Sequence, residues 1–218
     1  LIVLGVDPGT AATGYGVVVR GDGGAVSLLE CGVIRTSERD DLADRLRVVH
    51  EGLLEVIGRV RPARVAVEGV FYGRNVRTTV VLGHTRGAIM LTAALADLPV
   101  AEYSPAEIKN AVCGTGRATK EQVQFMVRQH LRLKEAPKPA DAADGVAVAL
   151  CHAFGMKAQA EAQAQAEAAR RGAGDLAARI QAARAADPTA GGKRSGSGVG
   201  RFLDDAELPV TRRRAGGA

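Results

Sequence analysis

At 218 residues and 46% hydrophobic, the chain has room for one sizeable α/β domain plus an appendage, and no apolar run approaches the ~20 residues a membrane-spanning helix needs. The formal net charge of +5 hints at a polyanionic partner but is unevenly placed: residues 1–156 hold 18 Lys+Arg against 17 Asp+Glu, and residues 157–218 hold 11 against 7. Cys31, Cys113 and Cys151 are odd in number and far apart, which excludes a zinc spacing and predicts reduced thiols in a cytoplasmic chain.

The first element is a strand. Five of the residues Leu1–Val6 are apolar and none is charged, so they read as a strand buried on both faces, stopped by Pro8 and Gly9. That places Asp7 at the strand's carboxyl end, where a carboxylate is either a solvated turn residue or one neutralised by a partner. No basic region precedes the apolar run and Asp7 interrupts it, so no signal peptide is expected; a start at Leu1 rather than methionine reads as a trimmed start. Gly14–Val19 predicts a second strand, and Gly21-Asp22-Gly23-Gly24 a hairpin turn into a third over Ala25–Thr36. Ser37 with Asp40 suggests a capping box, followed by apolar residues at helical spacing from Leu42 until Pro62. Arg64–Gly69 is a fourth strand, reached by a helical crossover and again ending in a carboxylate, Glu68.

Directly after Glu68, two aromatics (Phe71, Tyr72) are mixed with two arginines (Arg74, Arg77), a chemistry suited to stacking bases and holding phosphates. Asn75 is a candidate N-cap for a long helix through Leu98 that carries Gly83 and Gly87. A fifth strand over Pro99–Tyr103 follows. Then come a helix opened by Ser104-Pro105, a Gly-bearing loop, a helix from about Thr119 to Leu133, a linker at Glu135–Pro139 and a final core helix over Ala140–Phe154. Residues 157–186 are rich in Ala, Gln, Glu and Arg with almost no apolar face. The glycines and serines beyond Asp187 predict a largely flexible tail. The expected organisation is therefore a domain over 1–156 and a tail over 157–218.

Asp141 and Asp144 share one face at the start of the last core helix, where acidic residues also suit the positive helix end. Their neighbours Ala140, Ala142, Ala143 and Gly145 are tiny, which would let that helix approach a sheet closely. If Asp7, Glu68, Asp141 and Asp144 meet, their mutual repulsion requires cations. All-oxygen ligands favour Mg²⁺ or Mn²⁺, and two such ions about 4 Å apart are a known device for in-line phosphodiester hydrolysis.

The motifs Gly5-Val6-Asp7-Pro8-Gly9-Thr10, Thr13-Gly14-Tyr15-Gly16, Val67-Glu68 with Phe71 and Asn75, Leu82-Gly83 with Arg86-Gly87, Lys109 with Lys120, and Ala140-Asp141-Ala142-Ala143-Asp144 occur in this order. Over roughly residues 1–155 the chain thereby resembles the RuvC family of bacterial Holliday-junction resolvases, within the ribonuclease H-like nucleases. That resemblance implies an α/β fold with a mixed five-stranded sheet, an antiparallel meander plus parallel strands, flanked by helices. It implies a homodimer that nicks two opposed strands of a four-way DNA junction in recombination and repair, leaving 5′-phosphate and 3′-hydroxyl ends, and that works with the RuvA–RuvB branch-migration complex. Asp7, Glu68, Asp141 and Asp144 match the family's metal-binding catalytic carboxylates, with two Mg²⁺ or Mn²⁺ ions expected per site. Phe71 matches an aromatic that contacts distorted DNA, and Lys109 and Lys120 match basic residues near the scissile strand. Tyr72, Arg74, Asn75, Arg77 and Arg117 complete the candidate DNA-binding set.

Gly69 departs from the family's pattern, where a larger polar residue is common, and the tail has no counterpart in the family core. Two rival functions share parts of the sequence. Actin-like ATPases and sugar kinases also carry a strand ending in Asp-x-Gly-Thr, but no second phosphate loop is visible. A non-catalytic junction-binding protein would be expected to have lost at least one of the four carboxylates. The histidines read as structural or surface residues, with His84 nearest the Phe71 loop.

Overall fold

A computed structural model describes residues 1–69 and 76–155 of the chain. Within them, strands β1 (Ile2–Asp7), β2 (Ala12–Arg20), β3 (Val26–Arg35), β4 (Arg64–Glu68) and β5 (Val100–Tyr103) form a sheet in the order β3-β2-β1-β4-β5. The first three make the expected antiparallel meander, and β4 and β5 add in parallel beyond β1. Helices α1 (Leu42–Val60) and α2 (Val76–Leu95) cover one face, while α3 (Pro105–Cys113), α4 (Lys120–His130) and α5 (residues 140–155) cover the other.

Strand alternation decides which residues face which helices. Leu4, Val6, Val65 and Val67 pack with Val49, Leu53 and Val56 of α1 and Ile89 of α2. Val3 and Ala66 instead join Ile108, Val112, Val123, Val127 and the α5 residues Val146 and Ala149. By the same parity Asp7 follows Val3 and Gly5, and Glu68 follows Ala66, so both carboxylates project toward α3–α5. The parallel register pairs Val6 with Val67, which sets Asp7 and Glu68 side by side at the ends of adjacent strands.

Helix ends account for the differences from the sequence expectation. The box expected at Ser37 and Asp40 does not form. Ser37 Oγ accepts from the Arg39 N–H at 3.2 Å within its own turn, and α1 begins after Asp41, which makes no side-chain cap. α2 ends at Leu95 instead of Leu98, and α4 at His130 instead of Leu133. In each case a non-glycine residue, Asp97 (φ 55) or Arg132 (φ 52), turns left-handed. The N–H of the next residue then closes back on the helix, Leu98 to Ala93 O at 3.0 Å and Leu133 to Arg128 O at 3.0 Å. With no glycine at these positions the stops left no mark in the sequence. The Asn75 cap and the 157–218 tail lie outside the described residues.

α3 opens with a full capping box between Ser104 and Glu107, and α4 with one between Thr119 and Gln122. These fix the starts of the two helices that carry Lys109 and Lys120. Ser104→Ala is expected to lower stability by about 1 kcal/mol, read as a fall in the denaturation midpoint with an unchanged m-value.

Candidate active site

Helix α5 reaches the sheet across a floor of glycines. A Cβ added to Gly5 would lie 2.3 Å from Ala149 N, one on Gly16 2.5 Å from Val146 Cα, and one on Gly14 1.9 Å from Asp141 O. From the other side, a Cβ on Gly145 would lie 2.5 Å from the Tyr15 Cα. Gly5 and Gly16 are paired across β1 and β2, and Gly14 is paired with Asp7 itself. Backbone therefore packs on backbone, and the first turn of α5 is held over the end of β1. The small residues around Asp141 and Asp144 do what the sequence suggested. The matching glycines on the sheet were not anticipated, although Gly5, Gly14 and Gly16 inside strand patterns are a signal for close backbone approach.

The result is a cleft of ≈ 260 Å³ lined by Asp7, Glu68 and Asp144, by Lys109 and Lys120, and by an apolar wall of Pro105, Ile108, Val123 and Ala147. Asp141 sits at its margin, with Oδ1 3.9 Å from Lys120 Nζ. Lys120 Nζ also lies 2.7 Å from Asp144 Oδ2. Pro105, Ile108, Val123 and Ala147 were not among the site residues read from the sequence, because apolar character marks core and cleft wall alike.

The electrostatics follow from this crowding. Burial pushes the Asp7 carboxyl up to about 8, helped by the charges of Glu68 and Asp144 and to a smaller extent Asp141, and opposed by Lys120. Glu68 is also raised, by burial first and then by Asp144, against the pull of Lys109, a hydrogen bond with Asp7, and Lys120. Lys120 is raised in turn, chiefly by its hydrogen bond to Asp144. With Asp7 pushed up to about 8, its charged form at neutral pH calls for more positive charge beside it than the two lysines supply. Carboxylate oxygens gathered on one side of a cleft suit a hard divalent cation such as Mg²⁺ or Mn²⁺. As the side chains stand, no three His, Cys, Asp or Glu among the described residues are gathered closely enough to enclose an ion.

Of the remaining candidates, Lys109 lines the cleft on α3, Arg77 is exposed in the first turn of α2, and Arg117 is exposed in the loop before α4. Phe71, Tyr72, Arg74 and Asn75 lie outside the described residues. The histidines are held in structural contacts where the structure gives them partners. His50 Nδ1 is 2.8 Å from Thr92 Oγ1, His130 Nε2 is 2.8 Å from Val112 O, and His152 Nδ1 is 2.7 Å from the Tyr103 hydroxyl. This last pair escaped the sequence, being 49 residues apart.

The family model described as crossover junction endodeoxyribonuclease RuvC matches residues 3–152. A protein of that name from Pelotomaculum thermopropionicum is 49% identical over 153 residues, covering 70% of this chain and 93% of its own. Another, from Parafrankia sp., is 53% identical over 150 residues, covering 69% of this chain and 84% of its own. Among solved structures, Thermus thermophilus RuvC in complex with Holliday junction substrate superposes with a TM-score of 0.68 at 41% identity, covering 73% of this chain and 96% of that one.

Proposed function

The chain belongs to the crossover junction endodeoxyribonuclease RuvC family, and from that premise we propose that its cleft hydrolyses two opposed strands of a four-way DNA junction, leaving ligatable 5′-phosphate and 3′-hydroxyl nicks. The observation that carries the assignment is the meeting of Asp7, Glu68 and Asp144 in one cleft with Lys109 and Lys120, with Asp141 at its edge. A sugar kinase or actin-like ATPase would have no use for the acidic face of α5 closing over the β1 and β4 ends, and a non-catalytic clamp would have no use for four charges that repel.

Asp7, Glu68, Asp141 and Asp144 would hold the divalent cations. Bound there, they would supply activation of a water nucleophile and stabilisation of the leaving 3′ oxygen. The chain's own residues do the rest. β1 and β4 fix the directions of Asp7 and Glu68, and the glycine floor fixes α5. Lys109 and Lys120, which line the cleft, are the proposed source of positive charge for the phosphate. Ile108, Val123 and Ala147 form an apolar wall that keeps the site's dielectric low, which strengthens each of these contacts. Phe71, Tyr72, Arg74, Asn75, Arg77 and Arg117 are the proposed wider DNA contacts. The expected result with a fixed synthetic junction is paired nicks in Mg²⁺ or Mn²⁺, sealed by ligase and prevented by chelation. Cleavage that persists in chelator, or nicks that ligase cannot seal, would contradict the proposal.

A homodimer would supply the two sites, and α2 carries a suitable seam. Val76, Val80, Leu91 and Leu95 are exposed by 74%, 51%, 59% and 67%, and they share one stripe with Gly83 and Gly87. Among the described residues neither glycine packs on another part of the chain, a Cβ on either meeting nothing within 4 Å. Such a stripe suits an isologous contact between two copies. Leucine at both Gly83 and Gly87 is expected to convert the dimer to a folded monomer by light scattering; an unchanged dimer would exclude this seam. The RuvA–RuvB complex is the proposed upstream partner and the cytoplasm the proposed location. No helix among the described residues is long and apolar enough to cross a membrane.

A further inference from the structure

Lys120 stands where its role as a phosphate contact does not require it to stand. Its ammonium is 2.7 Å from Asp144 Oδ2 and 3.9 Å from Asp141 Oδ1, both on α5, while the lysine itself is the first residue of α4. The capping box at Thr119 and the burial of Val123 and Val127 fix α4, so only the lysine side chain is free to adjust. Half of that side chain is solvent-exposed, so it has room to move. A carboxylate oxygen bonded to an ammonium offers the lone pairs that a divalent cation would take, and a cation bonded to the same oxygen would meet the ammonium as a like charge.

Resting on the metal-dependent reading above, we propose that Lys120 is an internal counter-ion for Asp144 and Asp141 that a divalent cation must displace. Metal loading then frees its ammonium for a phosphate. One lysine thus positions the α5 carboxylates before the cation arrives and becomes a DNA contact afterwards. It cannot do both at once, so cation binding and phosphate binding are coupled through this side chain. Lys120 acts here as a positioning residue, and its effect is visible without DNA and without turnover.

The test uses the full chain and Mn²⁺ alone. Amine acylation read by mass spectrometry is compared in chelator and in saturating Mn²⁺. Lys120 is expected to become several-fold more reactive on metal loading. Lys138, whose exposed ion pair with Glu135 does not line the cleft, is expected to stay constant. In calorimetric titration, Lys120→Met is expected to bind Mn²⁺ about tenfold more tightly than the parent chain, a difference of about 1.4 kcal/mol. Mn²⁺ that binds the parent chain without changing Lys120 reactivity, or that binds Lys120→Met no more tightly, overturns the displacement while leaving the metal site standing. No Mn²⁺ binding at all overturns both.

Discussion

Asp7→Asn is expected to stop junction cleavage while making the metal-free protein more stable. The Asp7 carboxyl is pushed up to about 8 by burial and by its acidic neighbours, so in the absence of a divalent cation the native state prefers it protonated. A group whose folded pKa lies above its unfolded value contributes stability that is full below the unfolded pKa, here 3.8, and is lost as pH rises through the folded pKa. The parent chain in chelator should therefore lose stability between about pH 4 and pH 8, and Asp7→Asn should be flatter over that window. Each pKa unit is worth about 1.4 kcal/mol, so after relaxation and residual solvation the variant should gain on the order of 2 kcal/mol near neutral pH. In saturating Mg²⁺ or Mn²⁺ the order reverses, because only the parent chain gains the linkage term of a bound ligand. Cleavage should fall by on the order of 10³-fold or more, with junction binding retained. Paired denaturation curves in chelator and in metal, across pH, check the first claim, and a cleavage assay the second. An Asn variant that still cuts would remove Asp7 from the chemistry.

The second large effect belongs to residues that touch no substrate. Gly5→Ala puts a Cβ 2.3 Å from Ala149 N and 2.4 Å from Gly145 O, both backbone atoms that no side-chain rotation can relieve. Gly145→Ala meets the Tyr15 backbone at 2.5 to 2.7 Å. Each is expected to cost about 3 kcal/mol or more, because α5 has to lift off the sheet as a unit. Gly58, in α1, is the control: its Cβ would meet nothing within 4 Å among the described residues. Gly58→Ala should raise stability by about 1 kcal/mol. Lifting α5 also carries Asp141 and Asp144 away from Asp7. At a temperature where Gly145→Ala remains folded by circular dichroism, its Mn²⁺ affinity should already be reduced. Equal stability of Gly5→Ala and Gly58→Ala would contradict the glycine floor.

The two effects share one cause. The sheet and α5 are pressed together closely enough to bring like charges into one cleft, and the stability lost there is offset by the packing around it. Val3, Ala66, Val146 and Ala149 lie in one buried cluster. Leu4, Val6, Val65 and Val67 lie in the other. A chain selected only for stability would not carry Asp7, whereas the glycines opposite α5 are what the close packing of that helix requires. Asp7 is explained by a site in which charge must converge.

Strand and helix order was legible because it depends on local periodicity. An apolar run stopped by Pro8 and Gly9, a Gly-rich hairpin at Gly21–Gly24, and helical spacing from Leu42 to Pro62 each carry their own signal within a few residues. Asp7 and Glu68 stood out as acids ending apolar strands, whereas Asp141 and Asp144 also suit a positive helix end and were marked by the tiny residues beside them and by the family resemblance. Helix ends closed by Asp97 and Arg132 were not, because non-glycine residues turn left-handed there only when the surrounding hydrogen bonds require it.

What the sequence determined by itself was therefore the inventory: which segments are strands or helices, which acids end them, and which family the order of motifs resembles. What only the tertiary structure decided was distance. Lys120 reaches from α4 to Asp144, and α5 is seated on the paired Gly5 and Gly16, which lie more than a hundred residues before it along the chain. Contacts of that kind depend on how closely two backbones approach, and no local pattern of residues encodes an approach whose other partner lies a hundred residues away.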